Sequence, residues 1–461
     1  MNRLAAKHRR AAYPVYKDSG VEWLGEIPEH WDIIRLKYIA KTRFSGVDKH
    51  KVEDEKPVRL CNYIDVYNNE YITFDLDFME ATATVEEIRR FNVEEGDVLV
   101  TKDSETWNDI AVPAYVASQL DNVLCGYHLA QVRTKRNLYD GQYLFRAFSA
   151  RGINDQFRVE ATGITRYGLG KYGFENAFFL VPPIREQQAI ATFLDRETSR
   201  IDELIAKKER QIELLQEKRS ALISHAVTKG LDPNLKMKDS GVEWLGEIPE
   251  HWEVKKVKNV VLKIGSGKTP KGGSEVYVDS GIMLIRSQNV HFDGLRLDDI
   301  AFIEPEIDAE MANTRVIPGD TLLNITGASL GRCCIMPANH DLANVNQHVC
   351  IVRPRKDIID PHFLYFTMCS HPLQSQIFAN ENGTSREGLN FEQVSNLLIP
   401  FPPGIIEQQA IIGKVITNIQ KMDINIAKVN RSIDLLREYR TALISAAVTG
   451  KIDLREEVPV S

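Results

Sequence analysis

The stretch KDSGVEWLGEIPEHW, from Lys17 to Trp31, decides the fold of this chain because it occurs again, without a mismatch, from Lys238 to Trp252. So long an identity marks the chain as two copies of one unit. Two similar halves predict a pseudo-two-fold molecule with an internal repeat. Such a molecule suits a partner that has its own two-fold symmetry, and duplex DNA is the commonest partner of that kind.

The two copies match in their outer segments and differ in their central regions, residues 40–180 and 260–400, which we call the middles. Further matches in the same register are EQQAI at 186–190 and 407–411, ALIS at 221–224 and 442–445, and AVT at 226–228 and 447–449. Residues 40–180 and 260–400, by contrast, share only scattered identities. We therefore expect one scaffold that carries two different recognition surfaces. Tandem duplication followed by neutral drift is the simpler alternative.

Length and composition are those expected of a soluble globular protein. The 461 residues, 43% hydrophobic and 26% charged, suffice for two or three domains. Six cysteines without a C-x-x-C pair or zinc spacing predict free thiols in a reducing cytoplasm. Neither a signal peptide nor a run of roughly 20 apolar residues is recognisable. The net charge of −7 is unusual for a DNA-binding chain, so we expect local basic clusters together with positive surface from partner subunits.

A long helix is predicted after each diproline, Pro182-Pro183 and Pro402-Pro403, because apolar residues then recur at helical spacing. These residues are Ile190, Leu194, Ile201, Ile205, Ile212, Leu215, Leu222 and Ala226 in the first copy, and Ile411, Val415, Met422, Ile426, Val429, Ile433, Leu436, Leu443 and Ala447 in the second. Gly230 and Gly450 are the expected helix stops. Since neither helix can bury such a stripe alone, the pair is expected to form an antiparallel coiled coil.

The middles combine short β-rich runs with helical stretches, which predicts α+β domains. The expected fold class is therefore α+β, with two similar recognition domains separated by two long helices forming an antiparallel coiled coil. The recognition domains are expected over residues 1–183 and 233–403. The helices are expected over 184–232 and over 404–461, the latter with the C-terminal tail.

Motifs for catalysis are missing from the sequence. The diprolines lack the polar and aromatic neighbours with which an amino-methyltransferase holds its target amine. The stretch from Gly265 to Thr269 resembles a phosphate-binding loop, but Leu262 stands where that motif requires glycine. No H-E-x-x-H or G-x-S-x-G motif is present. The chain is therefore predicted to bind without catalysing, and no cofactor is expected in it.

Four groups of polar residues are the candidate DNA contacts, most of them at matching places of the repeat. The first choice is the pair of G-x-[TS]-R-x-G-L segments at 163–169 and 383–389. Their glycines allow close backbone approach, while the hydroxyl and guanidinium groups can reach phosphate or guanine. The groups are Thr165, Arg166, Ser385 and Arg386; then Asn344, Asn346, Gln347, His348, Tyr127 and His128; then Thr101, Lys102, Asn324 and Thr326; and last Arg286 and Gln288. Solvated turns and polar strand ends are the structural alternatives.

This organisation resembles the specificity subunit of type I restriction–modification systems. The resemblance rests on E-W-L-G-E-I-P-x-H-W at 22–31 and 243–252, on the diproline followed by E-Q-Q-A-I, and on A-L-I-S-x-A-V-T at 221–228 and 442–449. The second middle adds L-L-N-I-T-G at 322–327 and N-Q at 346–347. The first middle departs from the family pattern, with T-K-D-S at 101–104 and G-Y-H at 126–128.

The resemblance implies a non-catalytic subunit with two target-recognition domains, which is expected in the cytoplasm. Because the paired helices would fix the separation of the domains and the two middles differ, each domain is expected to read one half of an asymmetric, gapped DNA site. The resemblance implies as partners double-stranded DNA, two adenine-N6 methylation subunits and restriction–translocase subunits, with no membrane and no small-molecule substrate. S-adenosylmethionine, ATP and Mg²⁺ are then expected on the partner subunits. Two alternatives stay open at this point. One is a coiled-coil scaffold without DNA readout, and the other is a DNA methyltransferase with a cryptic site.

Overall fold

A computed structural model describes residues 11–381 and 388–457 of the chain. The chain forms two compact units, one built from residues up to 208 together with those from 431 onward, the other from residues 209–430. Each unit therefore joins one mixed domain with parts of both long helices. The boundaries expected from the sequence divide the chain in another way, because they separate the domains from the helices.

The first unit contains short strands and helices in the middle region. The strands are β1 (Tyr16–Asp18), β2 (Glu26–Pro28), β3 (Asp32–Arg35), β4 (Ala40–Phe44), β5 (Lys56–Cys61), β6 (Tyr71–Ile72), β7 (Met79–Ala83), β8 (Val98–Thr101), β9 (Asp103–Ser104), β10 (Pro113–Val116), β11 (Val123–Cys125), β12 (Leu129–Thr134), β13 (Tyr167–Gly168) and β14 (Phe178–Val181). The helices are α1 (Leu36–Ile39), α2 (Tyr63–Asn68), α3 (Val85–Phe91), α4 (Gly141–Ser149), α5 (Arg151–Glu160) and α6 (Lys171–Asn176).

The main sheet of this unit has the strand order β4-β12-β8-β10-β6, and a smaller sheet has the order β11-β5-β7. The central strand β8 carries Val98, Leu99 and Val100, all fully buried. Such a continuous apolar run is typical of a strand covered on both faces. The sheet therefore forms the middle of the domain. Polar residues lie just beyond the strands, Lys102 and Asp103 after β8 and His128 before β12.

The long helix α7 (Ile184–Lys229) leads into the second unit. The strands there are β15 (Met237–Asp239), β16 (Glu247–Pro249), β17 (Glu253–Lys256), β18 (Val261–Ser266), β19 (Ile282–Ile285), β20 (Val290–His291), β21 (Gly294–Leu295), β22 (Ala301–Ile303), β23 (Thr321–Asn324), β24 (Cys333–Ile335), β25 (Ala343–Val345), β26 (Val349–Pro354) and β27 (Leu398–Phe401). The helices are α8 (Pro305–Glu310), α9 (Pro361–Cys369), α10 (His371–Glu381), α11 (Phe391–Asn396) and α12 (Ile405–Val448), with 3₁₀ turns at Val257–Asn259, Gly273–Val276, Ser287–Asn289, Ala312–Thr314 and Gly327–Ser329.

The second unit repeats the topology of the first although the middles have diverged. Its sheets have the orders β18-β26-β23-β24 and β22-β19-β25, which match β4-β12-β8-β10 and β7-β5-β11 strand for strand. Strand β27 pairs antiparallel with β17, as β14 does with β3. The predicted internal repeat of two α+β domains is therefore confirmed at the level of strand order.

The predicted long helices are also confirmed, with 46 residues in α7 and 44 in α12. Ile201 is buried in the first unit with Leu443 and Ile444, while Ile223 is buried in the second with Val415. Both helices end where expected, at Gly230 with φ of 74° and Gly450 with φ of 69°.

An ion pair joins the two helices in each unit. Asp202 accepts from Arg440 at 2.9 Å in the first unit. Asp423 accepts from Arg219 at 3.2 Å in the second. Since the residue number falls along α12 as it rises along α7, the helices run antiparallel.

Candidate nucleic-acid interface

The repeated peptide is fastened to the start of each long helix by one glutamate. In the first unit the indole nitrogen of Trp31 donates to Glu186 Oε1 at 3.1 Å. In the second unit Trp252 donates to Glu407 at 2.9 Å. Glu186 also accepts the hydroxyl of Tyr13, and burial together with this bond raises the pKa of Tyr13. These repeated residues hold the frame on which each recognition domain is built.

The glutamine after each glutamate ties the helix start to the rest of its domain. Gln187 Nε2 donates to the carbonyl of Pro182 at 2.8 Å, and its Oε1 accepts the backbone N–H of Asp140 at 2.8 Å. Gln408 does the same with Pro402 at 2.9 Å and Asp360 at 2.8 Å. The E-Q-Q stretch is therefore a structural junction in both units.

Gly96-Asp97 and Gly319-Asp320 directly precede β8 and β23, and their aspartates also have structural roles. Asp97 accepts two hydrogen bonds from Arg133, at 2.7 and 2.8 Å. Asp320 accepts two from Arg353, both at 2.8 Å. Both carboxylates are buried. Buried, paired carboxylates of this kind orient the strand next to the candidate interface.

Three segments far apart in the sequence meet at the end of β8 in the first unit. Asp103 accepts from Arg166 Nη2 at 2.9 Å and lies 2.9 Å from His128 Nδ1. The Lys102 ammonium lies 4.7 Å from the ring centroid of Tyr127, and burial lowers the pKa of Lys102. Of these residues, Tyr127 is half exposed and Arg166 is exposed. The arrangement offers cationic, aromatic and hydrogen-bonding groups on one surface, which we call the first polar cluster.

The matching place in the second unit has the same backbone and different side chains. Leu169 N–H donates to Lys102 O in the first unit, and Leu389 N–H donates to Ile325 O in the second, both at 2.8 Å. Thr326 takes the place of Asp103, with its hydroxyl 2.6 Å from His348 Nδ1.

The exposed amide of Gln347 completes this end of β26, which we call the second polar cluster: Thr326, Asn346, Gln347 and His348. The Gln347 side chain binds the hydroxyl of Thr269 from the neighbouring loop. Asn346 Oδ1 accepts the backbone N–H of His348 at 3.1 Å. Ser385 and Arg386 lie outside the described residues.

Glycines permit the close backbone approach at both clusters. Gly163 has φ of 148°, and a Cβ there would lie 1.9 Å from the carbonyl oxygen of Arg166. At Gly267, a Cβ would lie 1.5 Å from the carbonyl oxygen of Val345. Any larger residue would push these loops apart.

Three candidates from the sequence are fully buried and bound within the protein. Thr101 Oγ1 accepts the N–H of Val112 at 2.9 Å, and Asn324 donates to the carbonyl of Ser287 at 2.8 Å. Asn344 is bonded to side chains of its own domain, Thr314 and Asp308. The expectation that these residues face DNA needs correction, because they point inward from the strand that carries them.

The remaining candidates lie nearer the surface. Arg286 is largely buried and donates to the carbonyl of Asp299 at 2.6 Å, while the exposed Gln288 binds the carboxylate of the same aspartate. Thr165 is exposed in the loop before Arg166.

Sequence reasoning missed Asp103 and the basic loop Lys49–Lys51. The loop lines a groove of about 910 Å³ together with Tyr127 and His128. The D-K-H-K run at 48–51 was the available signal for the loop. Asp103 carried no signal, because its partner Arg166 is remote in the chain.

The described part of the chain gives two further negative findings. Within residues 11–381 and 388–457, no three His, Cys, Asp or Glu side chains are grouped so that they could hold a metal ion. In the same ranges, none of the helices combines the length and the apolar character that a bilayer crossing requires.

Comparisons with known proteins agree on one family. The family described as "Type I restriction modification DNA specificity domain" matches residues 28–214 and 249–435. The MjaVIII specificity subunit of Methanocaldococcus jannaschii is 24% identical over 433 residues, which cover 93% of this chain and 94% of that protein. The EcoBI specificity subunit of Escherichia coli is 23% identical, with 71% of this chain and 69% of that protein covered.

Solved structures share the fold. A chain from work described as "Structural basis underlying complex assembly and conformational transition of the type I R-M system" has a TM-score of 0.68 at 16% identity, covering 92% of this chain and 98% of its own length. The HsdS subunit of Thermoanaerobacter tengcongensis has a TM-score of 0.52 at 16% identity, with the same coverage. Because the family matches both copies of the repeat, the chain belongs to the type I restriction–modification specificity subunits and has two target-recognition domains.

Proposed function

We propose that the recognition domains, over residues 1–183 and 233–403, each read one half of an asymmetric DNA target whose halves are separated by unspecified bases. One observation carries this proposal. The two polar clusters occupy the same place in the repeated sheet, yet Asp103 and Arg166 dominate one while Thr326 and Gln347 dominate the other. Since different donors and acceptors pair with different base edges, the half-sites should differ.

The proposed contacts are the accessible members of the clusters, together with Thr165, which is exposed in the loop before Arg166. In the first domain these are Thr165, Arg166, Tyr127, His128 and Lys102, in the second Thr326, Asn346, Gln347 and His348. Asp103 orients the Arg166 guanidinium, which suits guanine, and the Gln347 amide suits adenine. Ser385 and Arg386 stay proposed contacts on the strength of the sequence pattern alone. Arg286 and Gln288 are weaker candidates, because Asp299 binds both.

The chain itself is proposed to carry out no chemistry. Family membership supports an assembly with two adenine-N6 methylation subunits and with restriction–translocase subunits in the cytoplasm. In that assembly S-adenosylmethionine, ATP and Mg²⁺ belong to the partners. The specificity subunit contributes sequence readout and the two equivalent frames on which the partners are held.

Adenine methylation mapped across the genome of a methylation-free host tests this function. The host expresses the chain together with the methylation subunit from the same locus, or that subunit alone. We expect a bipartite, gapped motif that depends on the chain. If a soluble complex forms and yields no motif, the chain acts as a scaffold and the proposal is wrong.

Arg166→Ala tests the assignment of the first half-site. Loss of a base contact should relax one position of that half-site by about 1–3 kcal/mol and leave the other half-site intact. Arg136→Ala is the matched control, because Arg136 is also an exposed arginine of the first domain, donating to the carbonyl of Glu95 at 2.6 Å, and lies outside the polar cluster. Equal weakening of both half-sites by Arg166→Ala would contradict the assignment.

A further inference from the structure

One face of the repeated peptide is exposed and has no evident role in folding. Leu24, Ile27 and Trp31 are buried, whereas Trp23 is 55% exposed. The second copy shows the same division, with Trp244 44% exposed. An exposed indole gains nothing from the core, and a large apolar surface in water is typical of an interaction site.

A slot lies beside each of these tryptophans at the same place of the repeat. In the first unit the slot has a volume of about 280 Å³ and is lined by Trp23, Gln156, Val159, Asn176 and Phe178, among others. In the second unit it has a volume of about 590 Å³ and is lined by Trp244, Gln376, Ala379, Asn396 and Leu398, among others. Each slot therefore combines an indole, an apolar wall and two amides.

The amides are held by equivalent bonds in both slots. Gln156 donates to the carbonyl of Phe178 and Gln376 to that of Leu398, both at 2.9 Å. Asn176 accepts from Arg35 at 3.1 Å and Asn396 accepts from Lys256, at the matching place of the repeat, at 3.2 Å. Asn176 also accepts from Lys37 at 2.7 Å. The nearby arginine and lysines are thus bound to the asparagines at the far wall, and the slots are preformed.

On the exposed part of each repeated peptide the carboxylates outnumber the lysines, of which Lys17 and Lys238 are exposed. The exposed carboxylates of the peptide are Asp18, Glu22, Glu26 and Glu29 in one copy and Asp239, Glu243, Glu247 and Glu250 in the other. Among the described residues that line the slots, the charged ones are Asp155 and Glu160 in the first and Glu243 and Glu392 in the second; of these, Asp155 is paired with Arg158 at 3.0 Å. Such a surface repels phosphate and attracts cationic side chains.

We propose that the two Trp slots, with their acidic rims, are twin docking sites for a basic segment of the methylation subunit, one copy at each slot. An arginine or lysine of that segment would lie against the indole, with the carboxylates pairing its charge and its alkyl stem on the apolar wall. This inference rests on the proposed function, because it takes the partner from there.

The proposal explains why the peptide is unchanged while the middles have diverged. The middles face two different half-sites and are free to differ. The exposed face of the peptide meets the same partner twice, so both copies must present the same residues. Folding accounts for the buried residues, for the turn residues Asp18, Gly20 and Gly25, and for His30, which binds Glu186. It leaves the identity of exposed residues such as Glu22 and Trp23 unexplained.

Native mass spectrometry of complexes prepared without DNA tests the proposal. The wild-type chain should bind two copies of the methylation subunit from its locus. Trp23→Ala and Trp244→Ala should each retain one copy, and the double variant none, with affinity lowered at least about 30-fold at the altered slot. Trp107→Ala is the matched control, since Trp107 is 55% exposed but belongs to neither slot, and it should retain two copies.

A charge-reversing variant checks that lost binding is not lost folding. Glu22→Lys with Glu243→Lys changes only exposed side chains and should reduce binding in the same way. The proposal is overturned if the double tryptophan variant keeps both subunits within about twofold of the wild-type affinity. It is also overturned if that variant loses DNA affinity instead. The proposed function is tested separately, by the gapped methylation motif that the wild-type complex is expected to produce. Neither of these outcomes changes that result.

Discussion

At the scale of single residues, Glu186 shows how a buried carboxylate can organise this protein. Its two oxygens accept from Trp31, Tyr13 and His30, so three side chains of the first segment converge on the start of α7. Among the residues that the structure describes, Glu407 has two such partners, Trp252 and His251, and its side chain is 34% exposed. The two copies of one motif therefore contribute unequally to stability.

Glu186→Ala should lower the free energy of unfolding by about 3 kcal/mol, because it leaves buried donors without an acceptor. Glu407→Ala should cost about 1 kcal/mol, since water can replace the more exposed carboxylate. Urea unfolding of the full chain, followed by tryptophan fluorescence, measures both losses. Equal losses would show that Glu186 is not the stronger anchor.

The candidate site could be predicted from the sequence as a set of segments but not as a set of side chains. Lys102 and His128 were recognisable because they lie at matching places of the repeat. Thr101 was not recognisable as buried, since side chains alternate along a strand and the sequence does not give the face toward which a strand end turns. The pairing of Arg166 with Asp103 depends on a tertiary contact that no local pattern encodes.

At the scale of elements, the long helices were the most predictable part of the fold. Spacing of the apolar residues identified both, and glycine identified both ends. Strand order in the middles was not predictable, because each strand is short and its partners are distant in the chain. The surroundings of the two glycines at the helix ends also differ, which the sequence does not show. A Cβ on Gly450 would lie 2.4 Å from Pro28 Cδ, whereas a Cβ on Gly230 would lie 3.4 Å from its nearest atom, in Leu235.

Gly450→Ala should therefore be the more damaging of two matched substitutions. Both glycines have positive φ, which costs alanine about 1–2 kcal/mol at either position. At Gly450 the contact with Pro28 should add about 1–3 kcal/mol of overpacking. Thermal unfolding of Gly450→Ala beside Gly230→Ala measures the difference, and equal melting temperatures would contradict it.

At the scale of the whole molecule, the net charge is −7, so acidic side chains outnumber basic ones. Lys102, Arg166 and the loop Lys49–Lys51 place cationic groups next to the groove, whose lining also contains the carboxylates Asp48, Asp65, Asp77 and Glu80. Carboxylates dominate the exposed face of both repeated peptides. The chain by itself is thus a poor electrostatic match for DNA, and its assembly with basic partner surfaces should supply most phosphate contacts.

DNA binding by the isolated chain should therefore be weaker and less sensitive to salt than binding by the complex with methylation subunits. Each phosphate contact adds about 0.9 to the slope of log K against log salt, so the complex should have the steeper slope. Fluorescence anisotropy with one target duplex, from about 50 to 200 mM salt, measures both slopes. Equal slopes would place the phosphate contacts on the chain itself.

The core of the first unit contains residues that the ribosome adds only after it has made the whole second unit. Leu443, Ala447, Val448 and Leu454 pack in the same cluster as Leu36 and Phe148, and Asp453 N–H donates to the carbonyl of Ala11 at 2.8 Å. The unit whose synthesis starts first is therefore completed last, after the whole second unit has been made. A nascent chain released at position 430 would contain every residue of the second unit and still lack the segment that closes the first core. We therefore expect truncation behind the second recognition domain to destabilise the first domain, and with it the proposed reading of half of the target.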